Sequence, residues 1–135
     1  MKLLFSNKYS ETTVAIALFM LRAASGVLMI PHGYMKIQNF AKFSPGFIDP
    51  FHVGSNLSLS LTIFAELFCS VLIIVGLFTR LAAIPLIITM CVALFIAHHG
   101  ELFGDGEHSA LFLAIFLTVL IMGPGKYSLD RMIRK

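Results

Sequence analysis

Apolar residues in this chain fall into four long runs, Thr12–Ile30, Leu57–Phe78, Leu81–Ala97 and Ser109–Met122, with polar breaks between them. Each run is continuously rich in Leu, Ile, Phe and Ala, without strict alternation. A helix needs roughly 20 mostly apolar residues to cross the hydrocarbon core. Three runs meet or approach that length, and the fourth can borrow flanking residues or thin the bilayer locally. Membrane strands would alternate over about ten residues. The pattern therefore predicts an all-α transmembrane four-helix bundle, with residues 1–135 forming one membrane domain.

The breaks order the bundle. Runs two and three are joined by little more than Thr79-Arg80, so they must be antiparallel neighbours. The longest connection, His32 to Asn56, carries the turn formers Pro45-Gly46 and Asp49-Pro50 together with Phe40, Phe43, Phe47 and Phe51. Such a loop is expected to lie on or fold into the membrane interface and cap the bundle. Gly123-Pro124-Gly125 stops the last run, and the following "KYSLDRMIRK" reads as a basic amphipathic tail at the membrane surface. The first run follows polar residues and lacks a clean cleavage site, so it is expected to stay as a span.

Composition agrees with lipid as the solvent: 58% of residues are hydrophobic and 13% charged, and the mean hydropathy is +0.89. A soluble domain of this size could not hide so much apolar side chain. Charge sets orientation. Lys2, Lys8, Arg80, Lys126, Arg131, Arg134 and Lys135 lie at one end of the predicted bundle, against Lys36 and Lys42 at the other. The connection between runs three and four has no Lys or Arg, only Glu101, Asp105 and Glu107 as charges. Positive loops stay cytoplasmic, so both termini are expected to face the cytoplasm. The net charge of +3 then describes an inner rim facing lipid, not a nucleic-acid surface. Cys69 and Cys91 are single, without a C-x-x-C, and read as packing residues.

Arg22 and Glu66 are the charges that stand out. Each lies about nine residues from the outer end of its run, roughly 14 Å deep at 1.5 Å per residue. Matched depth and opposite sign predict an interhelical Arg22–Glu66 ion pair, because a lone charge at mid-membrane costs about 2.5–3.5 kcal/mol on insertion scales. Arg22, Ser25/Gly26, Met29, His32/Gly33 and Lys36 share a helical stripe if the helix continues past Pro31. Thr62, Glu66, Ser70 and Ile73 form a second stripe, and the two are expected to enclose a polar path. His32, His52, His98, His99 and His108 all belong to the outer end. Imidazoles there suit proton-coupled chemistry. Glu66 and His32 are the catalytic candidates, and Arg22, Lys36, His98 and His99 the ligand-binding ones. Although His98, His99, Glu101, Glu107 and His108 are N/O donors, their spacing matches no compact motif, so no metal site is expected.

These residues carry a resemblance. The order "RAASGVLMIPHGYMK" (Arg22 to Lys36), "AELFCSVLIIVGLFTRLAA" (Ala65 to Ala83) and "GPGKYSLD" (Gly123 to Asp130) resembles the DoxX family of small four-span bacterial membrane proteins. Arg22, His32, Gly33, Lys36, Glu66, Gly76, Arg80 and Asp130 occupy the motif positions. The resemblance implies a multi-pass protein of the bacterial plasma (inner) membrane and a membrane partner of a redox complex, since the family's namesake is a subunit of a thiosulfate:quinone oxidoreductase.

Three functions remain open on the residues. The first is a quinone-linked redox subunit, with menaquinone or ubiquinone as cofactor held near His32, Lys36 and His98/His99, and electrons supplied by a redox partner protein. The chain carries no flavin, nicotinamide or iron–sulfur motif. The second is a non-enzymatic scaffold whose basic tail recruits a protein. The third is a small transporter, which with four spans would need to form a homo-oligomer.

Overall fold

The computed structural model describes residues 4–97, 99–100, 103–104 and 106–134. Among them all regular structure is helical. The first helix, α1, runs Glu11–Gln38, a 28-residue rod of about 42 Å. Ser10 caps it by accepting the Thr13 N–H at 3.1 Å. A short α2, Phe40–Phe43, and a 3₁₀ turn, Ser44–Gly46, follow. The second long helix, α3, is Ser55–Val75 and the third, α4, is Thr79–Ala97. The last apolar helix, α5, spans Glu107–Met122, and a short α6, Leu129–Ile133, ends the tail.

By length and composition α1, α3 and α4 can cross a membrane, and α5 is a shorter apolar helix. The protein is thus a multi-pass membrane protein of all-α class. α1 packs on α3, α3 on α4, α4 on α5, and α5 closes back on α1. Lipid offers no hydrophobic drive between helices, so close approach through small residues holds such a bundle. A Cβ on Gly26 would strike Ile74, and one on Gly33 would lie 2.7 Å from Leu67 Cγ. The core is Met29, Ala65, Cys69, Ile73, Ala82, Ala83, Leu86, Met90, Phe112, Phe116 and Val119. Large apolar side chains such as Phe19, Leu28, Phe68, Ile84 and Ile121 point outward, as expected of surfaces that meet acyl chains.

Pro31 does not end the first span. It removes a single intrahelical hydrogen bond, it is exposed, and the helix continues two further turns to Gln38. This extension decides the register. Gly26 meets Ser70 and Ile74, while Gly33 meets Glu66 and Leu67, so Arg22 sits opposite the region of Gly76. Glu66 is ten residues away from that level, about 15 Å along the axis. The expected Arg22–Glu66 ion pair is not formed. The two stripes do face each other, but glycine contacts close the gap between them, so the polar path drawn there is absent too.

Candidate functional site

The two motif charges each find a different partner. Arg22 is fully buried. Its guanidinium donates to the carbonyls of Ile73 (3.2 Å) and Ile74 (3.4 Å) and to that of Tyr127. The last carbonyls of a helix have no intrahelical partner and collect partial negative charge. Arg22 therefore closes the C-terminus of α3 and ties the tail to it. Gly76, at φ +75, ends α3 in the left-handed conformation that glycine adopts freely. A Cβ there would collide with Arg22 and Ser128.

Asp130 completes this end. Its carboxylate accepts the backbone N–H groups of Phe78 (2.7 Å) and Thr79 (2.9 Å), while its own N–H donates to Gly76 O (2.9 Å). Burial acts to raise its pKa, but the Thr79 and Phe78 donors and nearby Arg22 outweigh that and hold it below the usual carboxylate value. Arg80 donates to Ile121 O (3.3 Å) and lies against Gly123. Arg22, Gly76, Arg80 and Asp130 thus form a knot that joins all four long helices to the tail.

At the opposite end Glu66, nearly fully buried, takes Lys36 as partner. Lys36 Nζ donates to Oε1 at 2.8 Å and Oε2 at 2.7 Å, with side-chain exposures of 18% for Lys36 and 4% for Glu66. It is the one ion pair among the described residues. Glu66 lies in a π-helical turn, Ala65–Cys69, inside α3. A second such turn, Ala93–Ala97, ends α4. An extra residue in a helical turn redirects the side chains around it, and such turns gather at functional sites.

Both π turns border one cavity of about 460 Å³. Lys36, Ser58, Thr62 and Glu66 form its polar side; Pro85, Ile88, Ala93 and Ala97 line it from α4. The loop supplies Phe47, Ile48, Pro50, Phe51 and Val53. That loop is held down locally: Asp49 accepts the Val53 and Gly54 N–H groups at 3.0 and 2.7 Å, and Ser58 Oγ donates to Ile48 O at 2.5 Å. The aromatic loop thus caps this side of the bundle. No residue of α5 reaches the cavity, and Leu61, Phe64, Phe51 and Ile88 at its wall are exposed. Its mouth opens sideways from the bundle, where acyl chains would be.

Of the sequence candidates, Lys36 and Glu66 come together at this cavity, and Arg22 lies at the far end. His32 is exposed, one turn before Lys36, with its ring edge against Phe112 at 6.1 Å, and does not line the cavity. His99 is exposed in the loop after α4 with φ +51, and His98 lies outside the described residues. Among the described residues no group of three His, Cys, Asp or Glu side chains could hold a metal ion. Sequence reading missed the loop aromatics as cavity lining and missed the α4 wall altogether. Pro85 inside an apolar run was the one local signal for the latter.

A family model described as DoxX matches residues 17–99. The match covers most of α1, the capping loop, α3 and α4, and so every element that lines the cavity. No curated protein and no solved structure matches the chain.

Proposed function

The chain belongs to the DoxX family, and on that premise we propose that it is a quinone-binding membrane subunit of an oxidoreductase complex, with the cavity beside Lys36 and Glu66 as its site. The observation that carries this reading is a lipid-facing apolar cavity with one buried ion pair in its wall. Its 460 Å³ falls within the roughly 300–1,000 Å³ of small-molecule sites, which are mostly apolar with a few polar groups that orient the ligand. A sideways mouth suits a ligand that partitions into lipid.

The side chains fit a quinone ring. An ammonium has three N–H donors, and Lys36 uses two on Glu66, so the third can bond a ring carbonyl. Reducing a quinone consumes two protons, and the Glu66 carboxyl, held beside Lys36, is placed to relay them to the ring oxygens. Phe47, Pro50, Phe51 and Phe64 provide flat apolar surface. A bound quinone would supply two-electron acceptance. In this chain Lys36 orients the ring, Glu66 accepts or delivers the proton, and the loop excludes water. The electrons come from a partner protein or soluble donor. The basic rim supports a reading with both termini in the cytoplasm of a bacterium and the cavity towards the outer face.

The test is thermal unfolding of the purified protein in detergent with increasing short-chain ubiquinone or menaquinone analogue. Ligand at a hundredfold excess over Kd adds about 2.7 kcal/mol of stability, so the melting temperature climbs with concentration. Ala93→Leu narrows the cavity from the α4 side without touching the ion pair, and should abolish the climb. A flat wild-type response overturns the quinone reading in favour of a scaffold. An equal climb in the variant overturns the location.

A further inference from the structure

A second cavity, of about 670 Å³, lies at the other end of the molecule, beneath the tail. Its floor is apolar: Val14, Ala15 and Leu18 from the first turns of α1, and Met122 at the end of α5. Gly125 brings the tail back over this floor, and a Cβ there would stand 3.2 Å from Leu18. Around the mouth are Tyr9, Glu11, Lys126 and Arg131. The start of one span and the end of another meet here, so the cavity sits at the level of the lipid head groups. Leu4, Phe5 and Tyr9 in the segment before α1, and Met132 and Ile133 in α6, are exposed, as side chains that dip into that layer would be.

The charges at the mouth have the pattern of a ligand with both signs. Lys126 and Arg131 share one cavity with Glu11, yet neither cation comes within ion-pair distance of that carboxylate. An unoccupied stretch separates the two signs. A phosphate between Lys126 and Arg131 would use the fork of the guanidinium and the ammonium. A primary ammonium on the same ligand would reach Glu11, and the acyl chains would lie on Leu18 and Met122. A head group ending in neutral hydroxyls, as in phosphatidylglycerol, would leave the Glu11 carboxylate without a cation. A quaternary ammonium has no N–H to give it.

We infer that the tail cavity is a phospholipid site selective for a phosphate-plus-primary-ammonium head group, phosphatidylethanolamine. The site is independent of the quinone cavity, since no residue lines both.

The full-length protein in detergent is titrated with phosphatidylethanolamine, phosphatidylglycerol or phosphatidylcholine of matched acyl chains, or with inorganic phosphate, and unfolding is followed by circular dichroism. The wild type should bind phosphatidylethanolamine about fivefold more tightly than either other lipid, the ratio an exposed ion pair supplies. Glu11→Gln should level phosphatidylethanolamine with phosphatidylglycerol, and Lys126→Ala/Arg131→Ala should weaken all three. Each variant is compared only with itself across lipids, so a shifted baseline does not matter. Equal binding of the three lipids by the wild type overturns the inference, as does a preference that survives Glu11→Gln. A response to inorganic phosphate equal to that of the lipid overturns it too, because the apolar floor would then contribute nothing.

Discussion

Replacing Lys36 by Met should be among the most damaging single changes in the protein, and replacing Glu66 by Leu at the same time should undo most of the damage. At 2.7 Å and an effective dielectric constant near 20, the Coulomb attraction of the pair is about 6 kcal/mol. Removing both ions from water costs several kcal/mol each, so the intact pair contributes little net stability. Deleting one partner leaves the other's desolvation uncompensated. Glu66 is 4% exposed and cannot reach water, so Lys36→Met should cost about 3–5 kcal/mol. Lys36 is 18% exposed and can swing its long stem towards the interface, so Glu66→Leu should cost less. Met and Leu fill similar volumes, so the double variant should lie within about 1 kcal/mol of wild type. The assay is reversible unfolding in mixed micelles, followed by circular dichroism, on all four proteins. A coupling of at least about 2 kcal/mol is expected. Single effects that add within about 0.5 kcal/mol, as they do for residues not in contact, would refute the pairing.

The remaining predictions concern the frame around the site. Gly33→Leu places a side chain where Leu67 Cγ already lies 2.7 Å from the Cβ position; overpacking of this kind should cost about 1–3 kcal/mol and, by parting α1 from α3, should also weaken quinone binding in the melting assay. Arg22→Lys keeps the charge but loses the fork that reaches three carbonyls, and should loosen the tail enough for proteolysis after Gly125 to quicken. Asp130→Ala removes the acceptor for Phe78 and Thr79, a loss of about 1 kcal/mol by analogy with helix caps. Because the folded carboxyl has a depressed pKa, its contribution is complete above the unfolded value near 4 and fades as pH falls through the folded one. Stability curves of wild type and Asp130→Ala should therefore converge in acid, and a gap unchanged at low pH would contradict this role.

The spans were legible because hydropathy over about twenty residues is a strong signal. Their bounds moved by a few residues at most, except at Pro31. There the apolar run ended at Ile30 and the helix past Pro31 stood only as a condition of the stripe; an exposed proline removes one hydrogen bond and leaves the rest of the helix intact. That eight-residue extension shifted the register and exchanged Glu66's partner from Arg22 to Lys36. Both lysine and arginine stood on the predicted stripe, so sign and periodicity alone could not choose between them. The partners of Arg22 are backbone carbonyls, which no side-chain pattern announces; Gly76, as a helix terminator, was the available hint that orphan carbonyls lay nearby. The capping role of the aromatic loop was legible from four phenylalanines between turn formers. The cavity itself was not, since it arises where two π turns and a loop from distant sequence positions converge.

The central claim is that a quinone ring rests against Lys36 and Glu66 within the wall formed by α3, α4 and the aromatic loop. Labelling the protein in native membranes with a photoreactive azidoquinone, then mapping the adducts by mass spectrometry, tests this most directly. Adducts should concentrate in residues 47–66 and 85–97 and be competed away by unlabelled quinone. Competable adducts confined to α5 or to the tail, or labelling that unlabelled quinone does not reduce, would contradict the account.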